Sequence, residues 1–214
     1  MNNLLKQLAN MKKHQPTLAV LSVAVRNKVL KNLAGLILQN IQQILRANVA
    51  DLKNLKRKEM RDRLVLNMKR LKAMAAGLLK VTKLPDPLNR IFENKILSNG
   101  LHVHKVSVPL GVVGVIYESR PNVTIDLAGL AIKSGNALVL KGGREAYRTN
   151  KVLLALINRA LKVGKLNNKI IYLINPEENW QKPLLNARRL VDVIIPRGSN
   201  NLIEWVRKNS RLPI

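Results

Sequence analysis

From Gly111 onward, short apolar runs alternate with segments of helical spacing, and this alternation limits the fold more than any other feature. Val112 to Tyr117 reads as a buried strand. Pro121 suits the first turn of a helix, Val123, Leu127, Leu130 and Ala131 share one face of it, and Gly135 can close it. Ala137 to Leu140 is the next strand, followed by a helix from about Glu145 to Lys162. A strand over 170–174, a helix around Leu184 to Leu190 and a strand over 191–195 complete the pattern. Apolar strands joined by helices predict a parallel sheet with right-handed crossovers. Ligands of such sheets sit at the carboxyl ends of the strands.

Upstream the grammar differs. Residues 1–84 read as helices, with Ser22 placed to cap one of them. Leu30, Leu33, Ile37, Ile41 and Ile44 recur at steps of three and four, as do Leu64, Met68, Leu71, Ala75 and Leu78. Each set predicts one apolar helical stripe, and core packing accounts for both. Pro85 and Pro87 end this region. Residues 91–97 and 101–108 flank Ser98-Asn99-Gly100 and predict a β-hairpin. His102 and His104 share a face of its second strand, but no third metal ligand stands nearby, so exposed strand residues are expected and no metal site. The expected organisation is a helical region (1–84), a hairpin connector (85–108) and an incomplete nucleotide-binding α/β domain (109–214).

An apolar content of 47% excludes a disordered tail despite a net charge of +26. The absence of Cys excludes a disulfide framework, a thiolate zinc site and a cysteine nucleophile within these residues. The best uncharged stretch, from Val106 to Tyr117, is far shorter than the roughly 20 residues of a membrane span, and the amino-terminus lacks a signal-peptide core. A cytoplasmic protein is expected, with no membrane partner. Residues 1–100 carry 20 Lys/Arg against 5 Asp/Glu, and residues 101–214 carry 18 against 7, so the charge is spread along the chain. The densest run, Lys53 to Arg63, reads as a solvated face or connector, though it could meet phosphates. With 3% aromatic residues there is no stacking platform for single strands, and no nucleic-acid-binding motif appears. Nucleic acid is therefore not the expected partner.

Three strand ends carry chemistry. Glu118-Ser119-Arg120-Pro121-Asn122 sets polar groups where a helix begins, so free N–H groups face the crevice. Lys141-Gly142-Gly143-Arg144 offers close backbone approach and two cations. Pro196-Arg197-Gly198-Ser199 again puts a glycine and a hydroxyl before a helix. None is a G-x-G-x-x-G or Walker loop. Each alone could be an ordinary turn; together they predict a mononucleotide or dinucleotide crevice.

The block from Pro109 to Thr124, PLGVVGVIYESRPNVT, resembles the signature of the gamma-glutamyl phosphate reductase family (glutamate-5-semialdehyde dehydrogenases), a branch of the aldehyde dehydrogenase superfamily. The likeness continues through Lys133 to Ala137, Leu140 to Gly143, Arg148-Thr149-Asn150 and Ile195 to Gly198, and upstream through Arg46-Ala47-Asn48 and Asp62-Arg63-Leu64. It implies a Rossmann-like sheet of the aldehyde dehydrogenase type and NADPH-dependent reduction of L-glutamyl 5-phosphate to the semialdehyde, in proline biosynthesis. It also implies that a cysteine thiolate attacks the acyl phosphate before hydride reduces the thioester. By position Asn122 resembles the oxyanion-binding asparagine, and Lys141 the lysine at the adenosine ribose or its 2′-phosphate. Ser199 and Gly198 resemble the loop beside the cofactor pyrophosphate. Glu118, Gly143 and Arg197 complete the expected cofactor contacts.

The sequence departs from the family in ending at Ile214, where members continue into a catalytic domain with the cysteine. The 214 residues alone are therefore expected to be inactive, with a complementing carboxy-terminal half or a homo-oligomer as partner and a small acyl phosphate as substrate. A basic polyanion-binding module and a non-functional remnant of such a reductase are the alternatives. Most of the excess positive charge has no explanation in the resemblance.

Overall fold

In the computed structural model, which describes residues 3–56 and 58–214, the first part of the chain is built of helices: α1 (Asn3–Ala19), α2 (Val23–Gln39), α3 (Ile41–Lys53), the short α4 (Arg61–Leu64) and α5 (Met68–Lys83). Ser22 caps α2 as predicted, its Oγ accepting the Val25 N–H at 3.4 Å, and Asn67 caps α5 through the Arg70 N–H at 2.8 Å. Arg57, within the basic run, lies outside the described residues, as do Met1 and Asn2 at the start of the chain.

Two sequence expectations need correction here. The first predicted stripe does not lie on one helix. Asn40 interrupts it, donating from Nδ2 to the Leu36 carbonyl at 2.7 Å, so α2 ends at Gln39 and α3 restarts at Ile41. A short amide competing for backbone carbonyls is enough to end a helix. Leu30, Leu33, Ile37 and Ile44 are still fully buried. The second stripe loses both its first members from the helical face. Leu64 belongs to α4, and Met68, the first residue of α5, is 44% exposed.

The hairpin forms from β1 (Ile91–Ile96) and β2 (His102–Val106), each strand stopping short of its predicted end at the turn and β2 also at its outer end. Every residue of both strands is exposed, His102 and His104 among them. Among the described residues no group of three or more His, Cys, Asp or Glu could hold a metal ion. Nor is any described helix long and apolar enough to cross a membrane.

The second sheet is fully parallel, with strands β3 (Val112–Tyr117), β4 (Ala137–Lys141), β5 (Ile171–Leu173) and β6 (Val193–Arg197) in the order β5-β4-β3-β6. Helices α6 (Pro121–Lys133), α7 (Tyr147–Val163) and α8 (Gln181–Leu185) connect them, and α9 (Asn200–Asn209) follows β6. α8 ends five residues before its predicted end, and β6 starts at Val193 rather than Val191. Asp192 explains the later start: its Oδ2 accepts the Val112 N–H at 2.7 Å, and Lys12 bonds both its oxygens at 2.7 Å, so this side chain stands where ladder pairing would begin. Pro196 is tolerated because β6 is an edge strand of this sheet.

All six residues of β3 are buried, as a strand covered on both faces must be. α6 and α7 pack on one face, backed by α2, α3 and α5, while α1 and α8 meet on the other. One continuous apolar core runs from Leu4 to Leu212, so the helical region and the α/β region share it. The chain turns back at β3, with β4 on one side and β6 on the other. In open parallel sheets that reversal leaves a crevice outside the strand ends.

Candidate functional site

The crevice floor is a closed polar ring. The Tyr117 hydroxyl lies 2.7 Å from Thr124 Oγ1, Thr124 donates to Asn150 Oδ1 at 2.8 Å, and Asn150 Nδ2 returns to the Tyr117 hydroxyl at 3.4 Å. All three residues are buried. Burial pushes the Tyr117 phenol up to about 12, partly offset by its bond to Thr124. The phenol therefore remains a donor, and Thr124, having given its proton to Asn150, accepts it.

Above this floor, the three strand-end loops fold onto one another. Glu118 Oε1 accepts the Ser199 N–H at 2.9 Å, and Oε2 lies 3.2 Å from Arg63 Nη1. The Ser199 N–H is the main reason that the Glu118 carboxyl sits below its ordinary value; Arg63 and Arg120 add to this, and partial burial opposes it. Ser119 donates from Oγ to Glu145 Oε2 at 2.7 Å, tying the first loop to the second. A side chain at either crossing would displace a bonded neighbour. A Cβ on Gly143 would run into Ser119 Oγ and stand 2.8 Å from Glu145 Oε2, and one on Gly198 would stand 2.8 Å from Glu118 Cγ.

Three cavities follow the strand ends in a row. The first, about 380 Å³, is walled by Lys141, Gly142, Gly143, Trp180, Leu202 and Trp205, and reaches Glu118 and Ser119. Lys141 is half-buried, donates to the Gly142 carbonyl at 2.8 Å and stands 5.0 Å over the Trp180 ring. Burial lowers its ammonium pKa, Glu145 opposes and Arg144 reinforces the shift. Trp180 and Trp205 meet edge to face at 6.0 Å. The second cavity, also about 380 Å³, shares Glu118 with the first and adds Arg63, Arg120, Arg197, Gly198 and Ser199. The third, again about 380 Å³, shares Arg63 and Arg120 with the second and contains Asn122, Arg70, Met74 and Asp126.

The seven residues expected at the site thus fall along one crevice. Glu118, Lys141 and Gly143 line the first cavity, Arg197, Gly198 and Ser199 the second, and Asn122 the third. Asn122 does not cap α6; the cap position is Arg120, and Asn122 lies inside the first turn, donating from Nδ2 to Asp126 Oδ2 at 3.2 Å. Asp126 has an exposed surface, yet the bowl of the cavity crowds its carboxyl enough to raise its pKa, against the lowering effects of Asn122 and Arg197. Lys141 is not a plain surface charge, since protein covers much of its side chain.

Sequence reasoning missed Trp180, Trp205, Glu145 and the floor ring. Trp180 and Trp205 are the only tryptophans in the chain, which was a signal available in the composition. Their meeting across 25 residues was not. The Arg46-Ala47-Asn48 and Arg148-Thr149-Asn150 segments, singled out for their resemblance, meet each other: Asn48 Nδ2 lies 3.3 Å from Thr149 Oγ1 and 3.0 Å from the Leu64 carbonyl. They brace the site from behind.

No family model matches the chain. It is 46% identical over 209 residues to the gamma-glutamyl phosphate reductase of Legionella pneumophila (strain Paris), covering 97% of this chain and 50% of that protein. The crystal structure of gamma-glutamyl phosphate reductase from Thermotoga maritima superposes with a TM-score of 0.95 at 32% identity, over 99% of this chain and 52% of that one. A probable aldehyde dehydrogenase from Listeria monocytogenes, 15% identical, shares the fold with a TM-score of 0.74 over 97% of this chain and 44% of its own. The chain spans about half the length of the curated relatives it matches. Along nearly its whole length the chain is similar to one half of gamma-glutamyl phosphate reductases, and it shares the fold of the corresponding part of an aldehyde dehydrogenase.

Proposed function

We propose that this chain is the cofactor-holding portion of an NADPH-dependent reductase of L-glutamyl 5-phosphate. The observation that carries the reading is the row of three joined cavities, which sets Lys141 and the tryptophan pair at one end and Asn122 at the other. The first cavity fits the adenosine end of a dinucleotide. Its walls combine the apolar surface of Trp180, Trp205 and Leu202 with the Lys141 ammonium, a cation for a ribose hydroxyl or its 2′-phosphate. NADP rather than NAD is favoured by that cation. When bound, the cofactor supplies a hydride.

The residues of this chain bind and orient. Ser199 is the cap position of α9, and its side chain makes no cap bond, so the start of that helix keeps a field that favours anionic groups. Glu118 at present fills part of that space. Asn122 has two amide protons, of which Asp126 takes one, so the other can stabilise an oxyanion developing at an acyl carbon in the third cavity. No residue of these 214 can be the thiolate that such a reaction requires.

The partner is then a complementing half that brings the cysteine; a second copy of this chain, which holds no Cys, would supply only an oligomer contact. The exposed apolar hairpin residues Ile91, Phe92 and Ile96 support such a contact. The substrate is a small acyl phosphate, and a cytoplasmic location accords with this chemistry. The test is calorimetry with NADPH on the 214-residue chain, together with an NADPH-oxidation assay on glutamyl phosphate. Binding without turnover is expected. Turnover would overturn the division of labour, and no binding of NADPH would overturn the cofactor reading.

A further inference from the structure

Arg63 and Arg120 are the two residues common to the second and third cavities, so they stand where those cavities adjoin, on the way to Asn122. The sequence reading assigned neither of them a role. Arg120 makes no side-chain hydrogen bond or ion pair among the described residues, although it sits one residue before α6 and beside Glu118. Arg63 uses a single N–H, toward Glu118, and is 50% exposed at that contact. An arginine has five N–H donors, so most of its fork is free. The acids nearby already have partners. Asp62 pairs with Arg70 at 2.9 Å, Asp126 accepts from Asn122, and Glu118 is bonded at both oxygens, once to Arg63 itself. Arg197, also without a side-chain hydrogen bond or ion pair among the described residues, adds a further cation to the second cavity.

Two under-used guanidinium forks at the junction of two cavities suit a planar or tetrahedral oxyanion. We propose that Arg63 and Arg120 hold the anionic end of a small acidic substrate, a phosphate or carboxylate group, and so fix its acyl carbon beside Asn122. This rests on the reading of the crevice given above. It deepens that reading by assigning substrate recognition to two positioning arginines rather than to the cofactor loop.

The two sources of oxyanion are separated by their probes: inorganic phosphate followed by phosphorus NMR, and L-glutamate followed by calorimetry, each titrated into the full chain. Arg63→Gln and Arg120→Gln are compared with Lys169→Gln, an exposed cation preceding β5 at the amino ends of the strands. Circular dichroism checks that each variant is folded, and Arg120→Lys keeps the charge without the fork. At least one probe is expected to lose tenfold or more in both Gln variants, with an intermediate loss in Arg120→Lys. Lys169→Gln should match the parent, and NADPH affinity should change by less than threefold. A phosphate-selective loss assigns the phosphoryl end; a glutamate-selective loss assigns a carboxylate. Absence of binding for both probes, losses no larger than that of Lys169→Gln, or a parallel fall in NADPH affinity would overturn the proposal. If the parent binds no NADPH but holds an anion through Arg120, the cofactor reading fails and this one stands.

Discussion

Glu118 Oε1 lies 2.9 Å from the backbone nitrogen of Ser199, so two residues expected to touch a cofactor are bonded to each other across 81 positions. The contact closes the β3 loop onto the start of α9. It has a pH signature. The folded Glu118 carboxyl lies below its ordinary value of 4.5, so its contribution is fully present above 4.5 and is lost as pH falls through the lowered value. An NMR titration of the Ser199 amide should show its midpoint below 4.5. A midpoint at or above 4.5 would contradict the contact.

Asp51 caps a helix that is not its own. Its Oδ2 accepts the Thr149 N–H at 2.8 Å and the Thr149 hydroxyl at 2.7 Å, while Oδ1 accepts the Arg148 N–H at 3.3 Å. α7 has no side-chain cap from its own cap residue. Asp51→Ala should destabilise the chain by about 2 kcal/mol, from a lost cap and an orphaned hydroxyl. Urea unfolding measures this, and a change below about 0.5 kcal/mol would show that the cap is dispensable.

Tyr117→Phe removes one member of the floor ring and leaves Thr124 and Asn150 short of partners. A loss of about 1–2 kcal/mol is expected. In the parent chain all three phenols are raised above 10, mainly by burial; the ultraviolet step near 12 belongs to Tyr117 and should vanish in the variant, while those of Tyr147 and Tyr172 remain.

Lys141→Ala should weaken NADPH binding by tenfold or more in calorimetry, since it removes the one lysine on the first cavity's wall. Because the folded ammonium pKa is lowered from 10.5, affinity that depends on the charge should fall off at a pH below 10.5. An affinity independent of both the substitution and pH would remove Lys141 from the site.

Gly111 has φ +117°, and a Cβ there would collide with the Asp192 carboxylate that bonds Val112 and Lys12. Gly111→Ala should cost about 3 kcal/mol or more, through backbone strain together with a broken polar junction. A thermal melt within two degrees of the parent would refute this.

The β-α alternation was legible because burial leaves a local imprint: Val112 to Tyr117 are apolar throughout since the strand is covered on both faces. Pro121 at the start of α6, Ser22 as a cap and the Asn99-Gly100 turn were legible for similar local reasons. Asn40 was not, because its amide breaks a helix without breaking the apolar spacing on either side. Met68 keeps the spacing but falls at a helix start, where the face it would share has not yet begun.

By itself, therefore, the sequence determined the strand and helix order and the loops that end at the crevice, since periodicity and turn chemistry act over a few residues. Only the tertiary structure decided which loops meet. Parallel strands bring their carboxyl ends to one edge, so Glu118 reaches Ser199, Trp180 meets Trp205, and Arg63 arrives from the helical region beside Arg120. These contacts span tens of residues. They depend on the order β5-β4-β3-β6, which places β6 next to β3 and is not encoded in any single segment.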